Sequence, residues 1–186
     1  GASGTQQDNI DRICRAFARI DSKLQALYKL YSQGKYQQAA ATGKILVSTQ
    51  STYLAATKAF LHAQSLERSQ ATQDAAEAYL DLVQNMSDRI SFASESALRA
   101  ARLYEGLERG LYAMQTYAFL LKNYGLTLTA GQFDDILARV RQLQQVYGDP
   151  LGTAAKMMDQ VKLRLDRSQS GKDTQDQQKR IVALLD

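Results

Sequence analysis

Apolar residues recur every three or four positions along almost the whole chain. Ile10, Ile13, Phe17, Ile20, Leu24, Leu27, Tyr28 and Tyr31 open the series, a spacing that lines one face of a helix for about six turns. Asp8 or Asn9 can cap its start, and "SQGKY" ends it, with Gly34 supplying the turn. A second helix is expected from Tyr36 to about Ser48. A third begins near Ser51, where a Ser or Thr hydroxyl can satisfy free N–H groups, and carries Leu54, Phe60, Leu61, Ala63 and Leu66. The fourth runs from about Gln73 to Met86 with Ala76, Tyr79, Leu80 and Val83 inward, the fifth from about Asp88 to Leu107, and the sixth from Gly110 to Tyr124. "GLTLTAG" breaks the pattern and is too brief to form a sheet. A seventh helix spans about Gln132 to Tyr147. In "YGDPLG", Gly148 can end it, Asp149 can cap the next and Pro150 fits the first helical position. The eighth carries Met157, Val161 and Leu165. After "RSQSGKDT", Asp173 or Thr174 caps a ninth with Ile181, Val182, Leu184 and Leu185. Nothing in the pattern needs a strand.

The pattern also repeats at longer range. Ala101, Tyr104, Ala113, Tyr117 and Leu120 stand 38 residues after Ala63, Leu66, Ala75, Tyr79 and Leu82, and these stand 36 after Leu27, Leu30, Ala39, Gly43 and Leu46. Three helix pairs share a small or apolar position on the first helix, a polar turn, then Ala and, four residues on, an aromatic, replaced by Gly43 in the first pair. This resembles the tetratricopeptide repeat, a helical hairpin of about 34 residues that stacks on the next through small residues at close contacts. "LYKLYSQGKYQQAA" carries the likeness best, in Tyr31, Gly34, Tyr36 and Ala39. The resemblance covers roughly residues 20 to 125, with longer spacings and without the Pro that often closes a repeat. It implies an all-α, right-handed α-solenoid of about nine antiparallel helices. Residues 1–20 form a lead and the start of the first helix, 21–125 three hairpins, and 126–186 helices that continue or cap the stack. A helical bundle with coincident Ala and Tyr is the competing architecture.

Composition agrees with helices: hydrophobic residues make up 45% of the 186, with Ala foremost, no Trp and one Pro. The 21 glutamines are dispersed and read as solvated helix faces. The net charge of +4 is uneven, with 8 basic and 3 acidic residues in 1–60, 6 and 10 in 61–135, and 9 and 6 in 136–186. Mildly basic ends therefore flank an acidic middle. Lys and Arg recur singly, without the dense cluster that nucleic acid or an anionic membrane requires. Both are expected to be absent from the partners. "GASGTQQDN" reads as a polar lead with an expression scar, and "RIVALLD" stops inside an apolar pattern, so the chain is expected to be an excised fragment. "TQDQQKRIVALLD" is similar to a helix of exported repeat proteins of the bacterial envelope, which implies the periplasm or cell envelope over the cytoplasm.

Catalytic chemistry has little to draw on. His62 is the single histidine, so no His pair can hold a metal, and no G-x-S-x-G elbow accompanies it. Cys14 sits among Ile10, Ile13 and Phe17 and reads as a core thiol. The eleven glycines form no phosphate loop. Asp134 with Asp135, and Glu105 with Glu108, read as solvated carboxylates. No enzyme, metal, cofactor or small-molecule substrate is expected. The resemblance instead implies a concave groove lined by the first helix of each pair: Leu24, Tyr28 and Tyr31, then Phe60, Gln64, Glu67 and Arg68, then Leu98, Arg102 and Glu105. The same residue types also build ordinary cores and surfaces. The expected function is a noncatalytic scaffold or adaptor holding a peptide or protein partner, with Tyr28 and Tyr31 as anchors and Arg68 and Arg102 reading acidic groups. The alternatives are self-assembly or interdomain packing through the C-terminal helices, and weak binding to nucleic acid or an anionic membrane.

Overall fold

The computed structural model describes residues 2–46, 52–87 and 91–149. Among them the chain is all-α, with eight helices: α1 (Ala2–Ala18), α2 (Ser22–Ser32), α3 (Tyr36–Leu46), α4 (Tyr53–Arg68), α5 (Thr72–Met86), α6 (Ala93–Gly106), α7 (Gly110–Tyr124) and α8 (Ala130–Tyr147). The expected eighth and ninth helices fall outside the described residues. The long first helix is two helices, not one. Asp21 takes an extended backbone and its carboxylate accepts from the Leu24 N–H at 2.6 Å, so a new helix starts where the apolar spacing runs on unbroken. α1 also begins at Ala2, inside the stretch expected to be a polar lead. Thr52 caps α4 through its hydroxyl. "GLTLTAG" becomes a 3-10 turn at Gly125–Thr127 followed by Thr129, which forms a capping box with Gln132.

Two compact units divide the chain, Gly1–Leu107 and Glu108–Asp186. In the first, consecutive helices pack from α1 to α6, except that α2 and α1 also reach α4. α4 is the hub. It buries Ala55, Ala56, Ala59, Phe60, Leu61 and Ala63 on several sides, which its alanines permit because small side chains let neighbouring backbones approach. One core cluster joins Ile10 and Cys14 of α1 to Phe60 and Ala63 of α4, Tyr79 and Leu82 of α5, and Ala100 of α6. Phe92 lies against Phe60 with ring centroids 4.5 Å apart. A second cluster gathers Ala18, Leu24, Leu27, Ala39 and Leu61.

The long-range echo lands on the core. Leu27, Ala63 and Ala101 are all fully buried, as are Ala39, Ala75 and Ala113, and so are Tyr79 and Tyr117. The turns repeat as well: Gly34, Gln70 and Glu108 are the described residues with left-handed backbone, at φ 73°, 65° and 59°, and they stand 36 and 38 residues apart. At the first two, the same pair of hydrogen bonds closes the helix. Lys35 N–H donates to Leu30 O and Gly34 N–H to Tyr31 O, then Ala71 N–H to Leu66 O and Gln70 N–H to Glu67 O, the Schellman pattern. An arrangement of successive hairpins closed in one way is compatible with a helical repeat.

The second unit is built on the packing of α7 against α8. Gly110, Ala113, Thr116, Tyr117 and Leu120 form the buried stripe of α7. At Gly110 a Cβ would collide with the Tyr147 ring of α8, so glycine sets how closely the two helices meet.

Candidate functional site

The first helices of the pairs do not present an open face. α1 packs on both α2 and α4, and its Ile10 and Cys14 enter the same cluster as Phe60. As a result Leu24 and Phe60 are fully buried, while Gln64 and Leu98 are 3% and 4% exposed. These four expected groove residues are buried in the first unit, Leu24 and Phe60 in clusters that also take in Ala18, Ile10 and Cys14 of α1. Tyr28 and Tyr31 are half-buried. Arg15 of α1 donates from Nε to the Tyr28 hydroxyl at 3.0 Å. Glu105 is half-buried as well, and Arg68 and Arg102 are exposed.

Glu67 is occupied by a polar network inside the fold. Its Oε2 accepts from the buried Tyr79 hydroxyl at 2.7 Å and from Arg99 Nη1 at 3.0 Å, while Arg99 Nε donates to Glu95 at 2.8 Å. The network ties α4, α5 and α6 together. Burial pushes the Tyr79 hydroxyl well above its ordinary range. Burial also works against the Arg99 charge, but Tyr79, Glu67 and Glu95 outweigh it and keep the guanidinium protonated.

Among the accessible parts of the first unit is the edge formed by two consecutive turns. Residues 34–38, at the α2–α3 turn, and residues 68–70, at the α4–α5 turn, line a cleft of about 350 Å³. Tyr36 in its wall packs edge-to-face on Tyr31, with centroids 5.5 Å apart. Burial raises the Tyr31 hydroxyl, and the charge of Arg68 offsets part of that rise. Arg68 of the cleft thus lies close enough to Tyr31 for its charge to act there. Lys35, Gln37, Gln38, Ser69 and Gln70 of this cleft were missed in the sequence. The 36-residue echo was the signal that could have found them, since it sets the two turns side by side.

The single cysteine and the single histidine are both withdrawn from the surface to a large degree. Burial, with Asp11 adding to it, pushes the Cys14 thiol up to about 12, so it is a core side chain. His62 packs on Gly43 and its Nδ1 is buried without a hydrogen-bond partner. Burial lowers its pKa, the Lys44 charge lowers it further, and a bond to the Ala40 backbone and the Asp74 charge oppose this. Among the described residues no His, Cys, Asp and Glu cluster suits a metal ion, and no helix is long and apolar enough to cross a membrane. In the second unit, Leu121, Leu126, Leu128 and Phe133, with Lys122, Asn123 and Asp134, border a hollow of about 630 Å³, and Leu126 is fully exposed. Comparison with known proteins finds no matching protein-family model, no similar curated protein and no similar solved structure.

Proposed function

We propose that this chain is a noncatalytic helical-repeat module, a right-handed TPR-like solenoid, that holds a protein or peptide partner. The observation that carries the reading is the recurrence of left-handed turns at Gly34, Gln70 and Glu108 together with a buried frame of the same spacing. Successive hairpins closed alike create a row of equivalent edges and helix faces, which suits extended partners better than small molecules. Because Leu24 and Phe60 are buried while Tyr31 is half-buried and Arg68 and Arg102 are exposed, the partner surface of the first unit centres on Tyr31, Arg68 and Arg102.

The test is capture from native extract by the parent chain and by Arg68→Glu/Arg102→Glu, with circular dichroism to establish equal helicity. A partner held by the parent and lost by the variant is the expected result; identical captured sets would remove this surface. The exposed Leu126 and the hollow beside it favour a second reading, self-association through the second unit. Light scattering that finds a monomer at all concentrations would remove that reading.

A further inference from the structure

The cleft between the first two hairpin turns brings two cations together. Lys35 and Arg68 line it, together with the donors of Gln37, Gln38 and Ser69, and no carboxylate stands among its described lining residues. The Arg68 charge acts on the nearby Tyr31 hydroxyl, and the Tyr31 ring packs edge-to-face on Tyr36 of the cleft. A guanidinium receives a carboxylate through two parallel N–H donors, whereas an ammonium contributes a point charge that acts from any direction. At about 350 Å³ the cleft has room for a few side chains.

We propose that this cleft binds an acidic segment of the partner protein, a short run of Asp or Glu side chains, with Arg68 as the bidentate contact and Lys35 as the second charge. The proposal rests on the partner-binding reading above and names the chemistry of that partner.

The probe is a fluorescein-labelled dodecapeptide of alternating Glu and Ser, titrated with the whole chain and followed by anisotropy. Saturable binding that weakens with added salt is expected, as is a loss of about tenfold or more when Gln replaces Glu in the peptide. Lys35→Glu/Arg68→Glu abolishes binding, and the neutral Lys35→Gln/Arg68→Gln weakens it. Arg12→Glu/Arg19→Glu makes the same change of charge at exposed positions on and just after α1 and retains it. Equal loss in both charge-reversed chains assigns the binding to net charge and overturns the proposal. Equal binding of the two peptides overturns it too, and so does competition by inorganic phosphate as effective as by unlabelled peptide, which marks a simple anion site. Natural-partner capture that survives Lys35→Glu/Arg68→Glu but fails in Arg102→Glu overturns the cleft while leaving the module standing. Absence of any captured partner removes the module reading itself.

Discussion

At the scale of single residues, the departure of Gly43 from the repeat frame has a steric cause. An added Cβ there would stand 2.7 Å from His62 Cβ and 2.8 Å from its Nδ1, where the frame puts Tyr79 and Tyr117 in the later hairpins. Gly in a helix interior costs about 1 kcal/mol of propensity relative to Ala, yet Gly43→Ala is expected to destabilise. The clash is with the root of the His62 side chain, which cannot swing aside, and overpacking of that kind costs about 1–3 kcal/mol. A raised denaturation midpoint in Gly43→Ala would contradict this contact. His62 also sets a pH response. The unfolded chain takes up its proton near pH 6.5 and the folded chain only at lower pH, so the unfolded state binds more protons in between. The contribution is whole above about pH 6.5 and is lost as the pH falls through that window. Urea midpoints should therefore drop on the acid side for the parent and hold steadier for His62→Gln; parallel pH curves would show that His62 does not titrate differently on folding.

At the scale of elements, Asp21 performs two tasks. It caps α2, and its Oδ2 accepts from Lys58 Nζ of the hub helix at 3.0 Å, the two side chains being 19% and 11% exposed. Asp21→Ala should cost about 2 kcal/mol, through the lost cap and the stranded ammonium. Asp21→Asn keeps an acceptor for the cap and should cost less, so the difference between the two variants' thermal midpoints measures the cap, and the drop from the parent to Asp21→Asn measures the ion pair. Equal midpoints in the two variants would mean that the ion pair alone matters. The same residue shows why part of the fold was hard to read. Ile20 and Leu24 keep the helical spacing across Asp21, so only the capping preference of Asp marked the break, and it was overridden by periodicity. Gly34 announced its turn, because glycine is at ease at positive φ. Gln70 and Glu108 adopt the same backbone with no such preference, and only their spacing from Gly34 gave them away. Gly110 to Tyr124 was legible to the residue because Gly and Tyr bound a clean apolar stripe. The candidate site was less legible: whether Phe60 meets a partner or a core depends on where α1 lies, a contact made across some fifty residues of chain.

At the scale of the whole molecule, both core clusters of the first unit draw on residues between Ile10 and Ala100. Residues 1–107 should accordingly fold alone and melt cooperatively, with far-ultraviolet circular dichroism and a near-ultraviolet tyrosine signal lost together. A fragment that keeps its helices but lacks a cooperative transition would show that the second unit completes the first. The docking of α1 has a consequence of a different kind. Cys14, 1% exposed and with its thiol pushed up to about 12, is shielded while α1 lies on α2 and α4. A maleimide reagent reaches the sulfur only during excursions in which the helix lifts away, and the labelling rate becomes a clock for those excursions. Slow labelling at the pace of global unfolding marks α1 as a permanent part of the interior. Labelling many times faster than unfolding marks it as a cover that comes off while the rest of the unit stands, exposing for brief intervals the faces that Leu24 and Phe60 hold closed.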